Sequence, residues 1–102
     1  MTNLTIALDA MGGDNGPPIT IPAALEVLAD NPQLTIIACG DKYQITHLLQ
    51  NAAASLTARL QVIHCTQVVS MGEKPSQALR HKTQSSMRVV LDLLKENKAQ
   101  AC

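Results

Sequence analysis

The sequence predicts an α/β protein, a three-layer α/β/α sandwich built on a mostly parallel sheet, and three observations carry that prediction. Short, nearly continuous apolar runs recur at Leu4–Leu8, Leu34–Cys39 and Leu60–Cys65. Between them lie longer stretches whose apolar residues return every three to four positions. Clusters of Gly, Pro, Asn and Asp separate the two kinds of segment. A strand apolar on both faces belongs inside a sheet covered on both sides, and parallel strands need long crossover connections, so alternating strands and helices imply a parallel sheet between helical layers.

Taken in order, Leu4-Thr5-Ile6-Ala7-Leu8 is the first strand, closed by the turn-forming stretch Asp9-Ala10-Met11-Gly12-Gly13-Asp14-Asn15-Gly16-Pro17-Pro18. A helical pattern begins at Thr20. Pro22 suits its first turn, Ile21, Leu25 and Leu28 face inward, and Asn31-Pro32 stops it. Leu34 to Cys39 forms a second strand ended by Gly40-Asp41, with Asp41 positioned to cap a helix from Lys42 to about Ala53 that turns Ile45, Leu48 and Leu49 inward. Leu60 to Cys65 is the third strand. Beyond a loop through Val68–Lys74, Pro75 opens a further helical region, whose longer part is capped by Ser85 or Ser86 and carries an inward stripe of Met87, Val90, Leu91 and Leu94. Ala99-Gln100-Ala101-Cys102 reads as the start of a fourth strand.

Composition narrows the function. The 102 residues are 46% hydrophobic and 16% charged, with eight Lys+Arg against eight Asp+Glu, which describes one globular unit with no net charge to attract nucleic acid or an anionic membrane. No apolar stretch approaches the roughly 18 residues of a membrane span. With no Phe or Trp and only Tyr43, the core must be aliphatic and its independent stability modest. Three cysteines without CxxC spacing argue against a disulfide framework or a zinc site and favour a reduced, cytoplasmic setting. The N-terminus lacks the basic start and cleavage site of a signal peptide. His47, His64 and His81 fall on separate elements without a carboxylate or Cys at ligand spacing, so no metal is expected.

Two segments are equipped for chemistry. The loop after the first strand places Asp9, Gly12, Gly13 and Asp14 at a strand's carboxyl end, where open α/β sheets gather ligands and where glycines let backbone N–H groups approach an anion. It is neither GxGxxG nor followed by a Lys-Ser/Thr pair, so nicotinamide and ATP are not supported as cofactors. The alternative is structural: Asp14 caps a turn and Asp9 accepts loop N–H bonds. The second segment holds Lys74, Arg80, Lys82 and Arg88, four of the eight cations, beside Ser85 and Ser86 at a helix start, where charge and free N–H groups suit phosphate. The same patch suits an acidic protein, or is simply a solvated helix face. Cys39 and Cys65 read as packing residues.

Taken together, Leu8-Asp9-Ala10-Met11-Gly12-Gly13-Asp14, Pro75-Ser76-Gln77-Ala78-Leu79-Arg80, Ser85-Ser86-Met87-Arg88 and Ala99-Gln100-Ala101-Cys102 resemble, in order and along the whole chain, the PlsX-type phosphate acyltransferases of bacterial phospholipid synthesis. The resemblance implies an isocitrate/isopropylmalate dehydrogenase-like fold and an enzyme that moves a fatty acyl group from acyl carrier protein to inorganic phosphate, yielding acyl phosphate. It implies no cofactor, a homodimer and loose peripheral association with the inner membrane face. It also makes residues 1–102 the N-terminal part of one larger domain, because family chains continue into a Ser-Ala-Gly-Asn-Thr-Gly loop. The expected consequence is an incomplete, inactive fragment.

On this resemblance Gly12 and Gly13 supply backbone donors, Arg80, Lys82, Ser85 and Ser86 offset phosphate charge, and Asp9 and Asp14 shape the loop or orient the cations. No protein nucleophile is required. The competing readings are a non-catalytic module that binds acidic acyl carrier protein through the 74–88 patch, and an inert product with an open apolar sheet edge.

Overall fold

The computed structural model describes residues 3–12, 15–66 and 85–102. Strands β1 (Leu4–Asp9), β2 (Leu34–Gly40) and β3 (Leu60–His64) form one parallel sheet in the order β1-β2-β3. Register runs from Leu4↔Leu34 to Asp9↔Cys39 across the first pair and from Ile36↔Leu60 to Gly40↔His64 across the second, so the carboxyl ends of all three strands share one rim. Each strand lies within one residue of its expected bounds.

Strand alternation divides the side chains between two cores. Ile36 and Ala38 of the sheet meet Ile21, Ala24 and Leu28 of helix α1 (Pro17–Asp30) and Ile45 of helix α2 (Lys42–Leu48) on one face. The one-turn helix α3 (Ala54–Thr57) adds half-buried Leu56 to this layer. Ala7, Ile37, Cys39 and Cys65 point the other way, onto Val90 and Leu93 of helix α4 (Ser86–Lys95). Helices therefore cover both faces, as the three-layer prediction requires.

The chain then doubles back. After α4, Lys98 N–H donates to the Leu93 carbonyl, Gln100 N–H to Thr5 and Ala7 N–H to the Ala101 carbonyl at 2.9, 2.9 and 2.8 Å, which sets Ala101 beside Ile6 in a parallel bridge. The expected fourth strand thus begins on the edge of β1 away from β2. Strand addition runs outward from β1 to β3 and restarts on the far side of β1, which makes the carboxyl end of β1 a topological switch point, the place where α/β sheets open a ligand crevice.

The helices depart from expectation in three places. Helix α1 starts at Pro17 and not at Thr20, because Pro17 and Pro18 have no N–H to leave unpaired and carry a helical φ. Gly16 turns the chain into it with φ 61°, and Pro22 lies inside the helix. The helix expected over Lys42 to Ala53 stops at Leu48, where the Leu49 N–H closes the last turn, and α3 follows separately. On α4, Leu93 is buried while Leu91 is 41% exposed. The apolar residues Val89, Val90, Leu91, Leu93 and Leu94 fill too wide an arc for spacing alone to choose the inward line. The helical region opened by Pro75 lies outside the described residues. Among the described residues, no helix is long and apolar enough to cross a membrane.

Candidate functional site at the carboxyl rim

The rim is built from the loop that follows β1. Ala10 is fully buried, its N–H donating to the Cys39 carbonyl at 2.9 Å and its own carbonyl accepting the Thr20 hydroxyl at 2.7 Å, so the loop is fixed to both β2 and α1. Asp9 Oδ1 accepts the Met11 N–H at 3.1 Å, and the Asp9 carbonyl accepts the Gly12 N–H at 3.1 Å. Asp9 therefore folds the turn, the structural role weighed for it from sequence. A Cβ on Gly12 would lie 3.2 Å from the Asp9 carbonyl oxygen, which explains glycine there: the turn closes onto its own backbone. The Gly12 N–H offered to an anion would have to be shared with this turn. Gly13 and Asp14 lie outside the described residues.

Met11 joins the loop to the next strand. Its sulfur lies 3.5 Å from the Asp41 nitrogen, and a Cβ on Gly40 would meet that sulfur at 2.9 Å. A side chain at Gly40 would thus require Met11 to move, a close approach that spacing alone did not reveal. Asp41 caps α2 as expected, accepting the Tyr43 N–H at 3.0 Å. At the end of β3, His64 Nδ1 accepts the Lys42 N–H at 3.1 Å, and the Tyr43 ring stands edge-on to His64 at 5.6 Å. The Lys42 ammonium rests 5.4 Å from the same ring. His64 so engaged is a strand-end residue bound to the helix start.

Ser85 and Ser86 open α4. Ser85 is extended (φ −73°, ψ 152°) and its Oγ accepts the Arg88 N–H at 3.2 Å, which makes it the cap, while Ser86 occupies the first helical position. They are 0% and 2% exposed. Because the far end of α4 returns to the amino-terminal half of β1 through Lys98 and Gln100, its serine end lies toward the carboxyl rim. Arg88 Nε pairs with Asp92 Oδ1 at 3.1 Å, so this cation of the basic cluster is held along its own helix. Arg80 and Lys82, together with Lys74 and His81, lie outside the described residues.

Two thiols sit beneath the rim on the α4 side. Burial, then Cys65, then the Asp9 carboxylate push the Cys39 thiol up to about 12. Burial and Asp9 raise Cys65 as well, against opposing hydrogen bonds to Gly40 and Cys39. Both remain thiols near neutrality, and a thiol is not the nucleophilic form. The packing role read from sequence is the one the geometry supports.

Residues 4–102 match the family described as fatty acid synthesis protein. The chain belongs to that family. Among curated relatives it is 51% identical over 102 residues to a phosphate acyltransferase of Shewanella pealeana, 52% to one of Shewanella halifaxensis and 51% to one of Vibrio cholerae. Each alignment covers 100% of this chain and 30% of the relative. The chain thus spans about a third of their length, in agreement with the expectation of an amino-terminal portion.

Proposed function

We propose that this chain is the amino-terminal portion of an acyltransferase that moves a fatty acyl group from acyl carrier protein to inorganic phosphate. The observation that carries the reading is its end-to-end match, at about 51% identity, with relatives named phosphate acyltransferase. A phosphate oxygen attacks the thioester carbonyl, a C–O bond forms, the C–S bond breaks, and the carrier thiolate leaves and takes up a proton. The products are acyl phosphate and free carrier protein, which need no cofactor.

The work of such a site is positioning and charge stabilisation. On this reading Gly12 and Gly13 supply backbone donors, Gly12 sharing its N–H with the Asp9 turn, and Arg80, Lys82, Ser85 and Ser86 offset the phosphate charge. Asp9 and Asp14 in this proposal shape the loop or orient those cations. The raised Cys39 and Cys65 fit direct displacement without an acyl-cysteine intermediate. A cytoplasmic homodimer, loosely bound to the inner membrane face where its acyl phosphate is consumed, completes the proposal.

The test joins residues 1–102 to the remainder of the Shewanella pealeana relative and supplies acyl carrier protein loaded with a long acyl chain. Carrier thiol release that depends on phosphate and matches acyl phosphate trapped as hydroxamate is the expected result. A folded chimera that binds the carrier protein without turnover would favour the binding-module reading and overturn this one. Arg80→Ala should raise the apparent phosphate KM several-fold; unchanged phosphate kinetics would remove Arg80 from the site.

A further inference from the structure

Beside the edge of β1 that receives Ala101, α1 leaves an apolar groove of ≈ 340 Å³ between its Ile19, Ala23 and Val27 and the sheet residues Ile6 and Leu8. A second hollow of ≈ 420 Å³ continues it past Val27 to Leu4. Ile19, Val27 and Leu4 are 60%, 44% and 42% exposed, whereas Ile21, Leu28 and Ile45 of the same layer are fully buried. The three α1 residues recur at i, i+4 and i+8, the ridge spacing that packs a neighbouring helix, and they span about 12 Å of helix.

We infer that this groove is the seat of an amphipathic helix from the part of the family polypeptide beyond the matched third. Three facts select that occupant. The relatives carry more than twice as much further chain as this portion contains, since the match covers 30% of their length. Ala101 is already paired in parallel on the same edge of β1, so the sheet grows beneath the groove. A parallel sheet is covered on both faces, and among the described residues nothing follows α1 over this side of β1, where its exposed ridge of Ile19 and Val27 stands. Exposed Glu26 and Asp30 lie on the same side of α1, seven residues after Ile19 and three after Val27, so the helix that docks here carries Lys or Arg along its flank. The inference rests on family membership and not on the anion site, so either can fail alone.

Co-expression tests it. The tagged 102-residue chain is produced together with the Shewanella pealeana phosphate acyltransferase polypeptide that follows its matched region, and soluble material is captured through the tag. The wild-type chain should bring the second polypeptide down in equimolar amount. Ile19→Glu with Val27→Glu should reduce capture at least ten-fold while leaving the far-UV circular dichroism of the chain unchanged, because both side chains already face solvent. Tyr43→Glu, on the opposite side of the layer, should not reduce capture. Failure of the wild-type chain to capture the polypeptide, or undiminished capture by the folded double variant, overturns the assignment. So does a dimer of the chain alone that the double variant abolishes and the second polypeptide does not displace, which would give the groove to a second copy.

Discussion

Arg59 lies on the turn before β3, yet its guanidinium closes the end of a helix about thirty residues earlier in the chain. Nη2 donates to the Leu28 carbonyl at 2.7 Å, and Nη1 to the Asn31 and Leu34 carbonyls at 2.9 Å each. One planar fork thereby satisfies carbonyls at the end of α1, in the following turn and at the start of β2. Arg59→Ala should lower stability by about 1.5–3 kcal/mol, the range for hydrogen bonds to charged groups, and Arg59→Lys should recover only part because one ammonium cannot reproduce the fork. Urea unfolding of the three proteins checks this. Nothing in the local sequence marks Arg59, since its partners are 25 to 31 residues away. Asp9 was legible by contrast, because its bonds go to its own next few residues.

The same contrast separates strands from helices. Strand bounds are set by uninterrupted apolar runs between turn formers, and they fall where those runs end. Helix bounds depend on capping and on what a ridge meets, so Pro17 at the start of α1 and the break after Leu48 emerge only with tertiary packing. Ser85 is the exception, a cap legible from sequence that the structure places with its Oγ on the Arg88 N–H. Ser85→Ala should cost roughly 1 kcal/mol, and Ser85→Thr should restore part of it through the same hydroxyl acceptor. Thermal unfolding of the three proteins reads the difference. Gly13, Asp14, Arg80 and Lys82, the other residues of the proposed anion site, lie outside the described residues, so their reading rests on the motifs alone.

For the molecule as a whole, aliphatic layers on both faces were predictable from composition, whereas the placement of titratable groups within them was not. Cys39 and Cys65 share the α4-facing core beneath Asp9 because strand alternation turns all three the same way. The folded Cys39 thiol holds its proton to about 12 against an ordinary value of 9.0, so above pH 9 the native state binds more protons than the unfolded chain. Its contribution is complete below pH 9 and is lost as pH rises through the interval toward 12. Denaturant titrations from pH 8 to 11 should show stability falling, and Cys39→Ala should give a lower but flatter profile. An unchanged slope would take Cys39 out of the alkaline transition.

The pairing of Ala101 with β1 also has a consequence during synthesis. Thr5 donates its N–H to the Gln100 side chain 95 residues later, so the first strand to leave the ribosome is the last to gain its second neighbour. Closing so long a loop is entropically slow compared with pairing β1 to β2, and until residues 100 and 101 have emerged one flank of β1 offers unpaired backbone to any other nascent chain. Elongation rate between β2 and Ala101 would then set how long that edge stays open.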